Sequence, residues 1–449
     1  MSSQLSRRQF TLSAVAAGTV AATKSSASIL GANERVQVGI IGVGNRGREL
    51  QGALTRVPAA KIVAVCDVFE PYLQAAKENL GGEPAAYRDY RKLLEDKAID
   101  AVVIGTPDHW HALQFIDACK AGKDVYVEKP LSLTIVEGRK MVQAAQQAKC
   151  ITQVGTHRRS SEMFRKACEL VRTGHIGHVS VAKAFHLQNE TPMGMGKPAD
   201  GNPPPGLDWD LWLGPAPKVP YNRNRCLYRF RWFGDYSGGQ LTNFGTHHLD
   251  VIQWGLGQDA PKSVMAMGGN FAVKDNRDIP DTLEVVWRYD GCIVTFSQYN
   301  ANNARGNPVG ANVEFRGSLA SLYTGYKGCT IEPQRIRYRE IPFKDPRDRK
   351  GSNAQYASLK PSGVKESQFK GGAATLNHVR NFIECVKSRK PCNAPVEVGH
   401  RSTSATLLGK IALKRGRVLE WDAQAERFTN DDEANNLLFY EYRKPWKLA

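Results

Sequence analysis

Three glycines, Gly42, Gly44 and Gly47, stand in the spacing G-x-G-x-x-G directly after the apolar run from Arg35 to Ile41. Between a strand and a helix, the first glycine permits a tight turn and the second lets a pyrophosphate approach the backbone. The third lets the helix lie close on the strand. A helix starting near Arg46 would present free N–H groups and a positive dipole end to phosphates, around Asn45 and Arg46. A second apolar run, Lys61 to Cys66, ends in Asp67, twenty residues after Gly47. A carboxylate there accepts hydrogen bonds from ribose hydroxyls and repels a 2′-phosphate. No basic residue stands in Val68-Phe-Glu-Pro71, so the pattern favours NAD over NADP. Asp67 has one competing role, as N-cap of the following helix.

Other residues have the chemistry to move a proton. Taking a hydride from a carbinol carbon requires the hydroxyl proton to leave too, and a positioned base contributes about 10²- to 10⁴-fold. Histidine suits that task near neutral pH. In the segment Gly238–Asp250 a helix puts Asn243, His247 and Asp250 on one face, at spacings of four and three residues. His248 is turned about 100° away by the helical period. Lys129, in Glu128-Lys-Pro130, is the other candidate. A free lysine titrates near about 10.4, and burial beside a cationic nicotinamide lowers that value. Pro130 biases Lys129 toward an extended backbone. A solvated lysine on a surface loop is the plain alternative.

These residues need a scaffold, and residues 33–155 alternate strand and helix. Ala101–Gly105, Asp124–Val127 and Ile151–Val154 read as buried strands, with helices over His109–Ala121 and Thr134–Lys149. That is a doubly wound parallel sheet, a Rossmann domain. Ligands of such sheets sit beyond the strand C-termini, so Gly42–Gly47, Thr106–His111 and Glu128–Pro130 converge on one crevice. Residues 156–421 read as an α+β substrate domain. A helix spans Ser160–Thr173 and a strand Val179–Leu187, and the stretches 262–271, 281–289, 292–299, 312–324 and 330–341 alternate as strands. Residues 189–237 are rich in Pro, Gly and aromatics, with Trp232 and Arg223, Arg225, Arg229 and Arg231 among them. A long irregular segment is commonly a lid or binding loop, and these side chains could grip a sugar; packing on its own aromatics is the equal alternative. Residues 343–372 read as a mobile polar loop, with helices near 374–389 and 400–415 and a short strand to Trp421. The aromatic tail, 422–449, reads as docking on a neighbouring subunit.

Three of these motifs carry a family resemblance. Thr106-Pro-Asp-His-Trp-His111 resembles the T-P-x-x-x-H motif, and Glu128-Lys-Pro130 the E-K-P motif, of the Gfo/Idh/MocA oxidoreductases, which include glucose–fructose oxidoreductase and inositol dehydrogenases. The segment Gly238–Asp250 resembles that family's G-G-x-L-x-D-x-G-x-H-x-x-D. The matches span the chain from about residue 35 to 420. They imply a Rossmann domain followed by an open, mostly antiparallel sheet, and a homo-oligomer, dimer or tetramer. They also imply that Lys129 helps bind and polarise the reacting hydroxyl while His247 acts as general acid or base. Asn243, Asp250, Trp232 and Arg158 are the supporting substrate-side candidates; Thr106, Pro107, His111 and Glu128 are cofactor-side.

One departure stands out. Asn243 occupies a position where the family often has Asp, and an amide can bind a hydroxyl but cannot hold charge or take a proton. Three activities fit the resemblance. One is an NAD-dependent dehydrogenase acting on a sugar, polyol or cyclitol. Another is a redox-neutral enzyme that keeps NAD and cleaves a glycoside. The third is a sugar- or nucleotide-binding member without turnover. Against the second, Thr246-His-His-Leu-Asp250 differs from the T-Y-P-T-H-G-type segment of the family's glycosidases.

The whole chain sets outer bounds. Its 449 residues, 41% hydrophobic and 23% charged, suit a soluble globular protein. The net charge of +17 is spread along the chain with no Lys/Arg block or nucleic-acid motif, which argues against a nucleic-acid partner. Nine scattered cysteines form no CxxC pair, and no histidine set has structural-zinc spacing, so no metal is expected. Ser6-Arg-Arg-Gln-Phe-Thr-Leu12, followed by the weakly apolar residues 13–22, resembles a twin-arginine export signal, with Arg7 and Arg8 read by the receptor. The run is too short to span a bilayer. Residues 1–32 are therefore expected to be signal and linker, and the mature protein to work in the periplasm or another extracytoplasmic space without membrane insertion. A disordered basic terminus is the alternative.

Overall fold

Parallel strands covered on both faces need near-continuous Val, Ile and Ala, and the first half of the chain supplies six such runs. In the computed structural model, which describes residues 35–338, 359–372 and 374–448, they form one sheet. The strands are β1 Val36–Ile41, β2 Ala60–Cys66, β3 Ala85–Tyr87, β4 Ala101–Ile104, β5 Asp124–Val127 and β6 Thr152–Val154. Their order, β3-β2-β1-β4-β5-β6 with every pair parallel, is that of a Rossmann sheet, whose crevice opens between β1 and β4. Helix Asn45–Leu54 follows β1, and Asp108–Lys120 follows β4. Helix Ile135–Ala148 starts in a capping box between Thr134 and Glu137. Helix Thr375–Ser388 returns from far along the chain to this sheet, where Val379, Phe382 and Ile383 join the core of Val36, Val38 and Ile40.

The second sheet begins with β7 Val179–Leu187, β8 Ser263–Gly269, β9 Thr282–Tyr289 and β10 Cys292–Tyr299. It continues with β11 Val313–Gly317, β12 Ala320–Thr324 and β13 Gly328–Pro333. β14 Arg335–Arg337 and β15 Leu359–Pro361 form a separate ribbon, and β16 Ser367–Lys370, β17 Leu419–Asp422 and β18 Arg427–Phe428 complete the edges. Ten strands lie in the order β16-β13-β12-β11-β7-β10-β9-β8-β17-β18, antiparallel throughout except for β7 beside β10. Helices Glu162–Arg172, Gly245–Leu256 and Val396–Arg415 supply Phe164, Leu249 and Leu408 to its core, around Trp287 and Phe296.

Several expectations need correction. Residues 312–324 are two strands joined by a turn. Of the loop expected over 343–372, the part up to residue 358 lies outside the described residues, as does the leader with Arg7 and Arg8. The remainder is not simply a loop, because β16 pairs in register with β13, Ser367 opposite Ile331. The aromatic tail docks on its own Rossmann domain: Trp446 meets Trp110 edge-on at 4.8 Å, and the Tyr442 hydroxyl donates to buried Glu137. Among the described residues no helix is long and apolar enough to cross a membrane. None of their His, Cys, Asp or Glu clusters is arranged to hold a metal ion.

Candidate active site

The crevice beyond β1 and β4 opens into a cavity of about 540 Å³. Gly42 turns the chain there with φ +83°, and a Cβ on it would stand 2.7 Å from the Thr106 amide nitrogen. A Cβ on Gly47 would lie 1.9 Å from the Gly42 carbonyl oxygen, so the helix can approach β1 only through this glycine. Gly44 and Asn45 face the cavity, where the first-turn amides have no intrahelical acceptor. Asp67 follows β2 at the same edge. Its carboxylate accepts from the Val43 amide at 2.9 Å and the Phe69 amide at 3.0 Å. Burial nevertheless raises its pKa to about 6, against those bonds and the pull of Arg88. These groups fit a dinucleotide: a phosphate-sized opening at a helix start and a ribose acceptor one strand away.

Charged groups crowd the other end. Burial would raise the Glu128 carboxyl, but Arg46, then Lys129 and His157, outweigh it and hold it near about 2. Arg46 Nε donates to Glu128 at 2.9 Å while its Nη1 reaches Glu49. Lys129 Nζ donates to Asn243 Oδ1 at 2.7 Å and to the Asn243 carbonyl at 3.2 Å. Burial lowers this lysine to about 8, with Glu128 and Asp108 opposing. His247 stacks on His157 with ring centroids 4.9 Å apart, and its Nδ1 has no partner among the described residues. Burial, then Lys129 and His157, hold His247 far below the usual histidine range; burial and Arg46 hold His157 at about 3. Both imidazoles are therefore neutral.

Comparison with known proteins matches this arrangement at both ends of the chain. Residues 36–156 match the model described as "Oxidoreductase family, NAD-binding Rossmann fold", of the Gfo/Idh/MocA group. Residues 178–354 and 367–448 match its "C-terminal alpha/beta domain". The chain belongs to the Gfo/Idh/MocA oxidoreductase family. It is 27% identical to myo-inositol 2-dehydrogenase of Thermotoga maritima over 384 residues, covering 84% of this chain and 96% of that protein. A Shewanella glycosyl hydrolase family 109 protein is 32% identical over 164 residues, 34% of this chain and 35% of that one. The structure of scyllo-inositol dehydrogenase from Lactobacillus casei, with NAD(H) and scyllo-inositol, superimposes with a TM-score of 0.57. That likeness covers 86% of this chain and 98–99% of the structures of that enzyme, at 20% identity, and speaks to the fold.

Within this Gfo/Idh/MocA chain, Gly42, Gly44, Asn45, Arg46, Asp67, Thr106, Pro107, Glu128, Lys129, Asn243 and His247 all line the cavity. Other candidates do not. Gly47 serves packing, and His111 pins two loops together, its ring nitrogens facing the carbonyls of Pro130 at 2.8 Å and Thr106 at 2.9 Å. Asp250 is fully buried behind the site in an ion pair with Arg159 at 2.9 Å. Arg158 is enclosed between the rings of Phe164 and Tyr326. Trp232 is stacked under Arg277 at 4.1 Å, in the core of the 189–237 segment. In that segment Trp212, Phe233 and Tyr236 pack together, the packing weighed as its alternative role, while Tyr228, Phe230 and Arg231 line the cavity. The single helix expected to carry Asn243, His247 and Asp250 is two, Gly239–Asn243 and Gly245–Leu256. His248 points away among Phe244, His186 and Phe296, as its period requires. Sequence reasoning missed Arg88, Asp108, His157, Ser237, Tyr326 and Trp446, which line the cavity from distant segments.

Proposed function

We propose that this protein is an NAD-dependent dehydrogenase that exchanges a hydride with a hydroxyl-bearing carbon of a sugar, polyol or cyclitol. The observation that carries the reading is one cavity lined at one end by Gly44 and Asp67 and at the other by Lys129, Asn243 and His247. Bound NAD would accept or return the hydride. Asp67 would hold the adenosine ribose and disfavour a 2′-phosphate. Lys129, as an ammonium, would donate to the reacting oxygen and stabilise charge developing on it. Neutral His247 would hydrogen-bond the same or a neighbouring hydroxyl. Asn243 fixes the lysine head through its amide oxygen, while its Nδ2 donates to Gln240 at 3.0 Å. The likeness to inositol dehydrogenases supports a cyclic polyhydroxy substrate. The export-like leader supports work outside the cytoplasm: exchanging Arg7 and Arg8 for Lys should trap the precursor inside, and unchanged export would remove that part of the reading.

The deciding experiment uses the full chain loaded with NAD and a panel of sugars, polyols and cyclitols. Growth of the reduced-nicotinamide absorbance with one of them is the expected result. Tightly held NAD with glycoside cleavage and no net reduction points instead to the redox-neutral reaction, which the partial likeness to a family 109 hydrolase favours. Absence of any nicotinamide change with every compound, together with no cleavage, overturns both.

A further inference from the structure

This inference rests on the dehydrogenase reading above and concerns where the hydroxyl proton goes. His157 and His247 are neutral and weakly basic, and Asn243 carries an amide. Five carboxylates line the cavity. Glu49 and Glu128 bind Arg46, Asp89 pairs with Arg91, and Asp67 accepts two backbone amides. Asp108 is different. It opens helix Asp108–Lys120, is only 7% exposed, and its Oδ2 accepts the Ser237 hydroxyl at 2.5 Å. Its Oδ1 has no protein donor among the described residues, yet it is not sealed in. Lys129 and Arg231 line the same cavity and are its cationic neighbours, with His111 on its own helix and Lys410 bonded to the Ser237 carbonyl. Burial raises this carboxyl above the ordinary aspartate range, with His111, Ser237, Lys129 and Arg231 opposing.

We propose that Asp108 is the catalytic carboxylate of this site, supplying from the Rossmann side the proton acceptor that Asn243 cannot be. As the carbinol C–H bond breaks and its electron pair leaves as hydride to the nicotinamide, the O–H bond breaks and its proton passes to Asp108 Oδ1. The carbon–oxygen double bond forms, and Lys129 keeps its own proton throughout. In the reverse direction the protonated Asp108 returns the proton to the oxygen. Ser237 steadies Oδ2 so that Oδ1 faces the substrate.

Asp108→Asn, nearly identical in shape, should lower kcat by about 10²- to 10⁴-fold. It should also abolish the acidic limb of the pH profile, while NAD affinity by titration stays within a few fold. Ser237→Ala removes a bond to the charged form and should shift that limb to higher pH. An Asp108→Asn enzyme within a few fold of wild type, or either variant with an unmoved acidic limb, overturns the proposal while leaving the dehydrogenase reading intact. A substrate-independent readout covers failure of that reading: in NAD-loaded protein with ¹³C-labelled aspartate carboxyls, the resonance missing from Asp108→Asn should titrate above the ordinary aspartate range. Titration inside that range overturns the proposal as well.

Discussion

In the reaction proposed above, Lys129 is useful only while it carries its proton, because a neutral amine cannot stabilise an alkoxide. Its pKa is depressed to about 8 by burial, so the ammonium is lost as pH rises through that value, well below the roughly 10.4 of a free lysine. Dehydrogenation should therefore fall on the alkaline side of about pH 8. Lys129→Met should lower kcat by about 10²- to 10⁴-fold and erase the alkaline limb; a surviving limb would move the titration to another group. Asp67 makes the opposite demand. Its carboxyl, raised to about 6, takes up a proton as pH falls through that value and then loses charge and one acceptor. NAD affinity measured by calorimetry should weaken below about pH 6. Asp67→Ala should cost roughly 1.5–3 kcal/mol, the worth of a hydrogen bond to a charged group, and narrow the preference for NAD over NADP. Equal binding of both nucleotides by the unaltered protein would contradict the assignment. Gly44, Asp67, Lys129 and His247 were legible because each sits in a short motif whose chemistry is local in sequence. Asp108 was also within a motif, at a position the T-P-x-x-x-H pattern leaves free. Its signal was a carboxylate at the start of a helix beside the crevice, and only the approach of Ser237 and Lys129 gives it meaning. Trp232 and Arg158 were misplaced because residue type cannot tell a sugar-binding face from one buried by a neighbour.

Secondary structure was most readable where burial enforces composition. The strands β1, β2, β4 and β5 are near-continuous apolar runs with few alternatives, and β9 alternates buried and partly exposed residues along its length. The break at Phe244 left no comparable mark. Thr246 Oγ1 donates to the Thr242 carbonyl at 2.6 Å, competing for an acceptor the helix ladder would use, while Phe244 keeps nearly helical angles. The apolar period runs through the break, so Asn243 and His247 still reach one cavity although Asp250 does not. The glycine turn makes a sharper demand. Gly47→Ala would drive a methyl into the Gly42 carbonyl, 1.9 Å away, with backbone on both sides. Overpacking of that kind costs about 1–3 kcal/mol or more, and here it also pushes the phosphate-facing helix start off β1. Denaturant titration should show the loss of stability, and NAD affinity should drop with it. Full stability in Gly47→Ala would mean the helix has room the geometry denies.

At the scale of the molecule, the chain order conceals how the nucleotide domain is finished. Helix Thr375–Ser388 and the closing segment both return to it, and no local pattern announces a partner hundreds of residues away. An aromatic tail reads equally well as a contact for another subunit or for its own chain. Here Arg443 donates to the Gly214 carbonyl at 2.9 Å and to Asp210 at 2.6 Å, tying the tail to the 189–237 segment. Arg91 stacks over Trp446 at 5.0 Å, and Trp446 itself lines the cavity. The tail is thus a strap beside the cavity, joining the Rossmann domain to the aromatic loop. Deleting residues 437–449 should lower the melting temperature and weaken NAD binding together, since Tyr442 leaves Glu137 and the cavity loses a wall. Trp446→Ala separates the two effects: it removes the wall and the contact with Trp110 but keeps the Arg443 and Tyr442 anchors. NAD affinity should fall several fold with a smaller loss of stability. If light scattering instead shows the truncated chain dissociating while its NAD affinity is intact, the tail serves an interface between subunits and not the site.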